Sequence, residues 1–140
     1  MLDRAVSNTG PLVALLDRHD PWHTWASEQL KQHVDPMLTC EAVLSESAFL
    51  LGSSDPGLRR LTGLFRDGVV RLGFDLDDHF DAISELLAKY HDTPMSLADA
   101  CLVRMSELHS TARVFTLDSD FRHYRRNGRQ AIPLIFPTTR

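Results

Sequence analysis

The chain is poor in cysteine, and it carries just two, Cys40 and Cys101. They are far apart and form no CxxC pair, so neither a disulfide framework nor a zinc ribbon is encoded. Both lie in apolar, helix-like stretches and read as reduced core residues. No window approaches the roughly 18 consecutive apolar residues of a membrane span. No apolar segment follows a basic start at Met1-Leu2-Asp3-Arg4, which predicts a cytoplasmic rather than a secreted protein. Neither GxGxxG nor GxxxxGK occurs, so no glycine-rich phosphate cradle is present, and there is no GxSxG elbow. Lysine is nearly absent as well, with two Lys beside thirteen Arg. Repeats, low-complexity tracts and linkers are missing. At 140 residues this predicts one domain, residues 1–140.

What is present is an ordinary apolar fraction of 43%, enough for a core, and a net charge of −4. The charge is unevenly spread. From Phe121 to Arg140 there are five Arg and no acid. That stretch is either a solvated surface or a set of phosphate contacts beside an acidic site.

Turn residues divide the chain into alternating elements. Ala5-Val6-Ser7 is a short apolar piece, and Asn8-Thr9-Gly10-Pro11 reads as a turn. Helical spacing follows over Leu12–Leu16 and Trp22–His33. Met37–Thr39 is a strand, Glu41–Leu51 a helix and Gly52–Pro56 a loop. Leu58–Phe65 reads as a helix, Val69–Leu72 as a strand and Asp78–Tyr90 as a helix. Ser96–His109 is the next helix and Arg113–Leu117 the next strand. A short helix runs through Tyr124, and Ile132–Phe136 is the last strand. Strands separated by helices predict a three-layer α/β/α fold with a mainly parallel sheet of about five strands. Sites in such sheets lie at the carboxyl ends of strands, where the strand order reverses.

Several carboxylates stand out against this frame. Glu46 has Ala42, Val43, Phe49 and Leu50 as its helical neighbours, all apolar. A carboxylate on an apolar face is costly unless it is paired or binds a cation. Asp99 has Met95, Ser96, Leu102 and Val103 around it, and Ser96 with Asp99 has the form of a capping box. Asp118 follows the strand Arg113–Leu117, with Asp120 two residues on. Asn8 follows the first apolar piece in the same manner. Clustered carboxylates imply a bound cation, and oxygen-only ligands suit Mg2+ or Mn2+ better than zinc. His19 and His23 have i, i+4 spacing, but Asp20-Pro21 interrupts a helix between them. Trp22 and Trp25 read as core or interface.

Four stretches resemble the motifs of one family, the PIN domains. Asn8-Thr9-Gly10-Pro11-Leu12-Val13-Ala14-Leu15-Leu16-Asp17 is similar to their opening motif. Thr39-Cys40-Glu41-Ala42-Val43-Leu44-Ser45-Glu46 resembles the second. Asp92-Thr93-Pro94-Met95-Ser96-Leu97-Ala98-Asp99-Ala100 is similar to the third, and it is the most specific. Thr116-Leu117-Asp118-Ser119-Asp120-Phe121, with Tyr124-Arg125 beyond it, resembles the fourth. The nearest subgroup in pattern is the VapC-type toxins of bacterial toxin–antitoxin pairs. The resemblance implies a Mg2+-dependent (or Mn2+-dependent) ribonuclease, homodimeric and restrained by a small antitoxin protein.

By motif, Glu46, Asp99 and Asp118 fall on the family's acidic catalytic positions. Asp120 matches a frequent additional acid, Thr9 a hydroxyl beside the first acid, and Ser96 a small polar residue near the third. Asn8 stands where the pattern has aspartate. Its amide oxygen can ligate a cation but carries no charge and cannot act as a base, which predicts attenuated activity. A shallow cleft of this kind suits single-stranded RNA. Arg122, Arg125 and Arg126 are then candidates for RNA phosphates. Tyr124 is a candidate for base stacking, whereas Phe121 reads as core. The dimer expectation also draws on the apolar Leu12–Leu16 and Trp22–His33 segments, which together exceed what a small monomer needs to bury. Two other readings remain open, an inactive PIN domain that binds RNA or protein, and a phosphatase-like metal hydrolase.

Overall fold

The computed structural model describes residues 4–33, 35–52 and 56–138. A five-stranded sheet runs through the middle, in the order β3–β2–β1–β4–β7, with every neighbouring pair parallel. Its strands are β1 (Ala5–Ser7), β2 (Met37–Thr39), β3 (Val70–Leu72), β4 (Arg113–Phe115) and β7 (Leu134–Ile135). The connecting helices are α1 (Thr9–Leu16), α2 (His23–Lys31), α3 (Glu41–Leu51), α4 (Gly57–Arg66), α5 (Phe80–Lys89) and α6 (Leu97–Leu108). This is the expected α/β/α layering. Among the described residues no helix is long and apolar enough to cross a membrane.

The strands are short because each is buried and bounded by a helix start. All three residues of β1 and of β2 are buried, as befits central parallel strands. The chain leaves β1 toward β2 on one side, and β4 lies on the other. The order therefore reverses between β1 and β4, which opens a crevice at their carboxyl ends. Ser7 pairs with Phe115 in register, so the next residues, Asn8 and Thr116, sit side by side at the mouth of that crevice.

Several elements differ from the sequence expectation. Asn8-Thr9-Gly10-Pro11 is the first turn of α1 rather than a free turn. Asn8 is the N-cap, and Pro11 is tolerated because a first-turn residue needs no intrahelical N–H partner. Gly10 brings this turn against the loop after β4, since an added Cβ would lie 3.3 Å from Leu117 Cδ1. The acidic stretch before α5 forms a 3-10 turn, Leu76–His79, capped by the Asp75 side chain. Most of the expected Gly52–Pro56 loop lies outside the described residues. A hairpin of β5 (Arg125–Arg126) and β6 (Gln130–Ala131) was not expected. Its signal is Asn127-Gly128, both with positive φ, at 51° and 83°.

The expected surplus of apolar surface is also placed differently. Leu12 is buried in the core, and both Trp rings pack against it, with Trp25 5.4 Å from Phe115. Leu12–Leu16 and Trp22–His33 therefore give no support to a dimer. The large exposed apolar residues include Phe49 (84% exposed) and Leu50 (61%) on α3 instead. Cys40 and Cys101 are free, buried thiols, as expected.

Candidate active site

The site is assembled from four chain segments that meet at the crevice. At the end of β1, Asn8 caps α1, and its Oδ1 accepts the Thr9 N–H at 2.7 Å. Thr9 Oγ1 in turn donates to Glu46 Oε1 at 2.8 Å, so the first turn of α1 holds a carboxylate from the second turn of α3. Asp99 lies in the first turn of α6 and is 8% exposed. Its capping box with Ser96 is complete. The Asp99 N–H donates to Ser96 Oγ, and the Ser96 N–H donates to Asp99 Oδ2, each at 3.0 Å. After β4, Asp118 Oδ1 accepts the Asp120 N–H at 2.9 Å and so starts the 3-10 turn Ser119–Arg122.

Glu46 corrects the sequence argument. Its apolar helical neighbours Phe49 and Leu50 are exposed, and Glu46 is itself exposed, so no burial cost forces it to find a partner. Thr9 brings it to the site. Asp99 is the acid that burial acts on. Desolvation pushes its carboxyl above the usual range, Ser96 pulls it back, and the charges of Asp118 and Glu46 push it up again. The three acids thus share one electrostatic environment.

Tyr124 joins the same group from beneath. Its ring is fully buried between Tyr90 and Phe121, at centroid distances of 5.2 and 5.1 Å. Its hydroxyl donates to the Pro94 carbonyl at 3.2 Å, with Asp99 Oδ2 at 3.5 Å. Burial raises the phenol pKa well above its ordinary value, and Asp99, Asp120 and Asp118 raise it further. Tyr124 and Phe121 are both core residues, so the stacking role expected for Tyr124 is corrected.

The basic residues are less free than the sequence implied. Arg126 binds the Ser106 and Ser110 carbonyls at 2.8 and 2.9 Å, and so caps the far end of α6 from Asp99. Arg125 donates to the Arg122 and Tyr124 carbonyls, and Arg122 lies 4.4 Å over the Phe136 ring. His23 Nδ1 pairs with the Ala14 carbonyl at 2.7 Å, and among the described residues the His19/His23 pair is not part of a group of three or more His, Cys, Asp or Glu placed to hold a metal.

With this geometry in place, the chain can be set beside known proteins. The family profile of the PIN domain matches residues 6–127, most of the chain. The chain belongs to the PIN-domain family. Among solved structures, this PIN domain is similar to that of Mycobacterium tuberculosis VapC20, a toxin described as cleaving the sarcin–ricin loop. The match has a TM-score of 0.71 at 21% identity, covering 83% of this chain and 91% of the other. At that identity the likeness speaks to the fold. No curated protein sequence matches the chain.

The side chains brought together are all oxygen donors, the ligand type that hard divalent cations take. Glu46, Asp99 and Asp118 each commit one oxygen to a positioning hydrogen bond, through Oε1, Oδ2 and Oδ1. Among the described residues, Asp99 Oδ1, Asp118 Oδ2 and Glu46 Oε2 make no hydrogen bond. No three His, Cys, Asp or Glu of the described residues converge tightly enough to enclose an ion unaided. Mg2+ in general binds through one or two carboxylates and retains several waters. Two side chains at this crevice take roles that the sequence does not assign them. Thr116 carried the faint signal of its i, i+2 spacing to Asp118. Tyr124 stood in the fourth motif, but nothing in the sequence pointed its hydroxyl at Asp99.

Proposed function

We propose that this PIN domain is a Mg2+- or Mn2+-dependent endoribonuclease of the VapC toxin type. The observation that carries the reading is the trio Glu46, Asp99 and Asp118. Among the described residues each has one oxygen held and one open, at the strand-order reversal of a parallel sheet. When bound there, a divalent ion supplies charge for the scissile phosphate and lowers the pKa of a water. The three open oxygens of Glu46, Asp99 and Asp118 would hold that ion, and Asp120 would add negative charge beside it. Thr9 fixes Glu46, and Ser96 fixes Asp99. No side chain has to act as the nucleophile.

Single-stranded or loop RNA is the proposed substrate. Arg122 and Arg125 are the proposed phosphate contacts, since Arg126 is occupied as a helix cap. The proposed partners are a small antitoxin protein and a second copy of the chain, and the proposed compartment is the cytoplasm. The test is incubation of purified total RNA with the protein in Mn2+ or Mg2+. Cleavage that is lost on chelation and in Asp99→Ala supports the reading. Turnover of small phosphate esters without RNA cleavage points to a phosphatase-like hydrolase.

One observation favours a second reading, an attenuated or inactive domain that binds RNA or protein. Asn8 brings no charge, and both ends of its amide are engaged within the protein. RNA binding without cleavage in either metal identifies that case.

A further inference from the structure

The mouth of the crevice contains a hydrogen-bonded chain that crosses from β1 to β4. Asn8 Nδ2 donates to Thr116 Oγ1 at 2.9 Å, and the backbone N–H of Asp118 donates to the same oxygen at 3.0 Å. The Asn8 amide has one possible orientation here. Its other end faces the Thr9 N–H, which can only donate, so that end must be the oxygen. The NH2 group therefore points at Thr116. Asn8 is 7% exposed and Thr116 is fully buried, so the bond between them is shielded from water, while the bond from the Asp118 N–H is partly buried. The Asn8 N–H completes the join by donating to the Phe115 carbonyl at 2.9 Å.

We propose that Asn8 and Thr116 are positioning residues that act as a neutral clamp on Asp118, with Asn8 reaching the metal site through Thr116 rather than as a ligand. Thr116 Oγ1 receives two donors, one from each strand end. It fixes where the backbone of Asp118 begins its turn, and so where the open Oδ2 points. An apolar side chain at 116 would leave one buried donor, Asn8 Nδ2, and one partly buried donor, the Asp118 N–H, without their acceptor. An aspartate at position 8 would change the polarity of the clamp without breaking it. The Thr116 O–H can rotate to donate to that carboxylate while its oxygen still accepts the Asp118 N–H. Asn8 thus keeps the geometry that a carboxylate would give while lowering the charge of the site. The inference rests on the nuclease reading for its consequence, but the clamp itself can be measured without RNA.

The experiment compares the unmodified protein with Thr116→Val, Thr116→Ser, Asn8→Ala and the double variant Asn8→Ala/Thr116→Val. Two measurements are made on each, amide hydrogen exchange of Asp118 by NMR and calorimetric titration with Mn2+ alone. The clamp predicts Asp118 exchange about tenfold faster in Thr116→Val, with near-normal exchange in Thr116→Ser. Outer-shell partners of a metal site are worth about 10–100-fold in affinity. Thr116→Val and Asn8→Ala should each weaken Mn2+ binding within that range, and the double variant should lose little beyond the larger single effect. Asn8→Ala weakening Mn2+ binding while Thr116→Val leaves it unchanged would show direct ligation by Asn8 and overturn the clamp. Additive losses in the double variant would do the same. If the protein bound no Mn2+ the nuclease reading would fail, and the exchange data alone would decide the clamp, with unchanged Asp118 protection in Thr116→Val counting against it. Thr116→Ser guards against misfolding, because it restores the hydroxyl at a smaller volume.

Discussion

Tyr124→Phe removes one oxygen from beneath the site and leaves the packing in place. The ring keeps its edge contacts with Tyr90 and Phe121, so no cavity forms. What disappears is one hydroxyl proton shared between the Pro94 carbonyl at 3.2 Å and Asp99 Oδ2 at 3.5 Å. The shorter bond carries most of the effect. A hydrogen bond of this kind is worth about 1 kcal/mol net. Pro94 is itself exposed, so water can reach its region and the larger penalty of a stranded buried carbonyl does not apply. For a chain of this size about 1 kcal/mol corresponds to a melting shift of about 3–5 °C. The pH dependence is the sharper test. The hydroxyl lies 3.5 Å from Asp99 Oδ2, and a donor there favours the charged carboxylate, which burial opposes. The loss should therefore be greater at pH 8 than at pH 5, since a charged carboxylate is the stronger acceptor and the Asp99 pKa is raised. Thermal melts of the metal-free protein at both pH values measure this. A shift below about 1 °C at pH 8, or a larger loss at pH 5, would refute the reasoning.

Asp99→Asn should stabilise the metal-free protein and abolish tight Mn2+ binding, because it removes the charge that burial, Asp118 and Glu46 all oppose. The sign for the unmodified, metal-free protein follows from the same shift. The folded state holds the Asp99 proton more tightly than the unfolded chain, so Asp99's contribution to stability grows as pH falls from neutrality through its folded pKa toward the ordinary carboxylate value. That contribution should vanish in Asp99→Asn, as read from melts across pH. Arg126→Ala should cost about 1 kcal/mol through loss of the α6 cap and leave the salt dependence of RNA binding unchanged, whereas Arg125→Ala should make that dependence shallower by somewhat under one unit of slope. Asn8→Asp should strengthen Mn2+ binding and speed RNA cleavage, since it adds a charge while the clamp to Thr116 is kept. Calorimetry and a cleavage assay measure both.

The layering, the parallel sheet and most helix positions were legible because the punctuation was strong. Pro36, Gly52 and Pro94 mark boundaries, and Ser96 with Asp99 announces the start of α6 by a pattern with a physical cause. The first turn of α1 was misread because Gly10-Pro11 is a turn signal in isolation. Here the Asn8 cap and the free donors of a helix start make the same residues helical. Glu46 was singled out for a reason that failed, since periodicity shows which residues share a face but not whether that face is covered. The β5–β6 hairpin carried its signal in Asn127-Gly128 and went unread. Thr116 and Tyr124 were harder to find. Their roles depend on contacts with Asn8 and Pro94, 108 and 30 residues away in sequence, which no local pattern encodes.

Glu46, Asp99 and Asp118 are proposed to form one cation site for RNA cleavage. Calorimetric titration of Mn2+ into the unmodified protein and into Glu46→Gln, Asp99→Asn and Asp118→Asn tests it most directly. A shared cation site gives measurable binding to the unmodified protein and a weaker affinity in all three variants, with the largest loss at Asp99. Equal Mn2+ affinity in the unmodified protein and all three variants would contradict it.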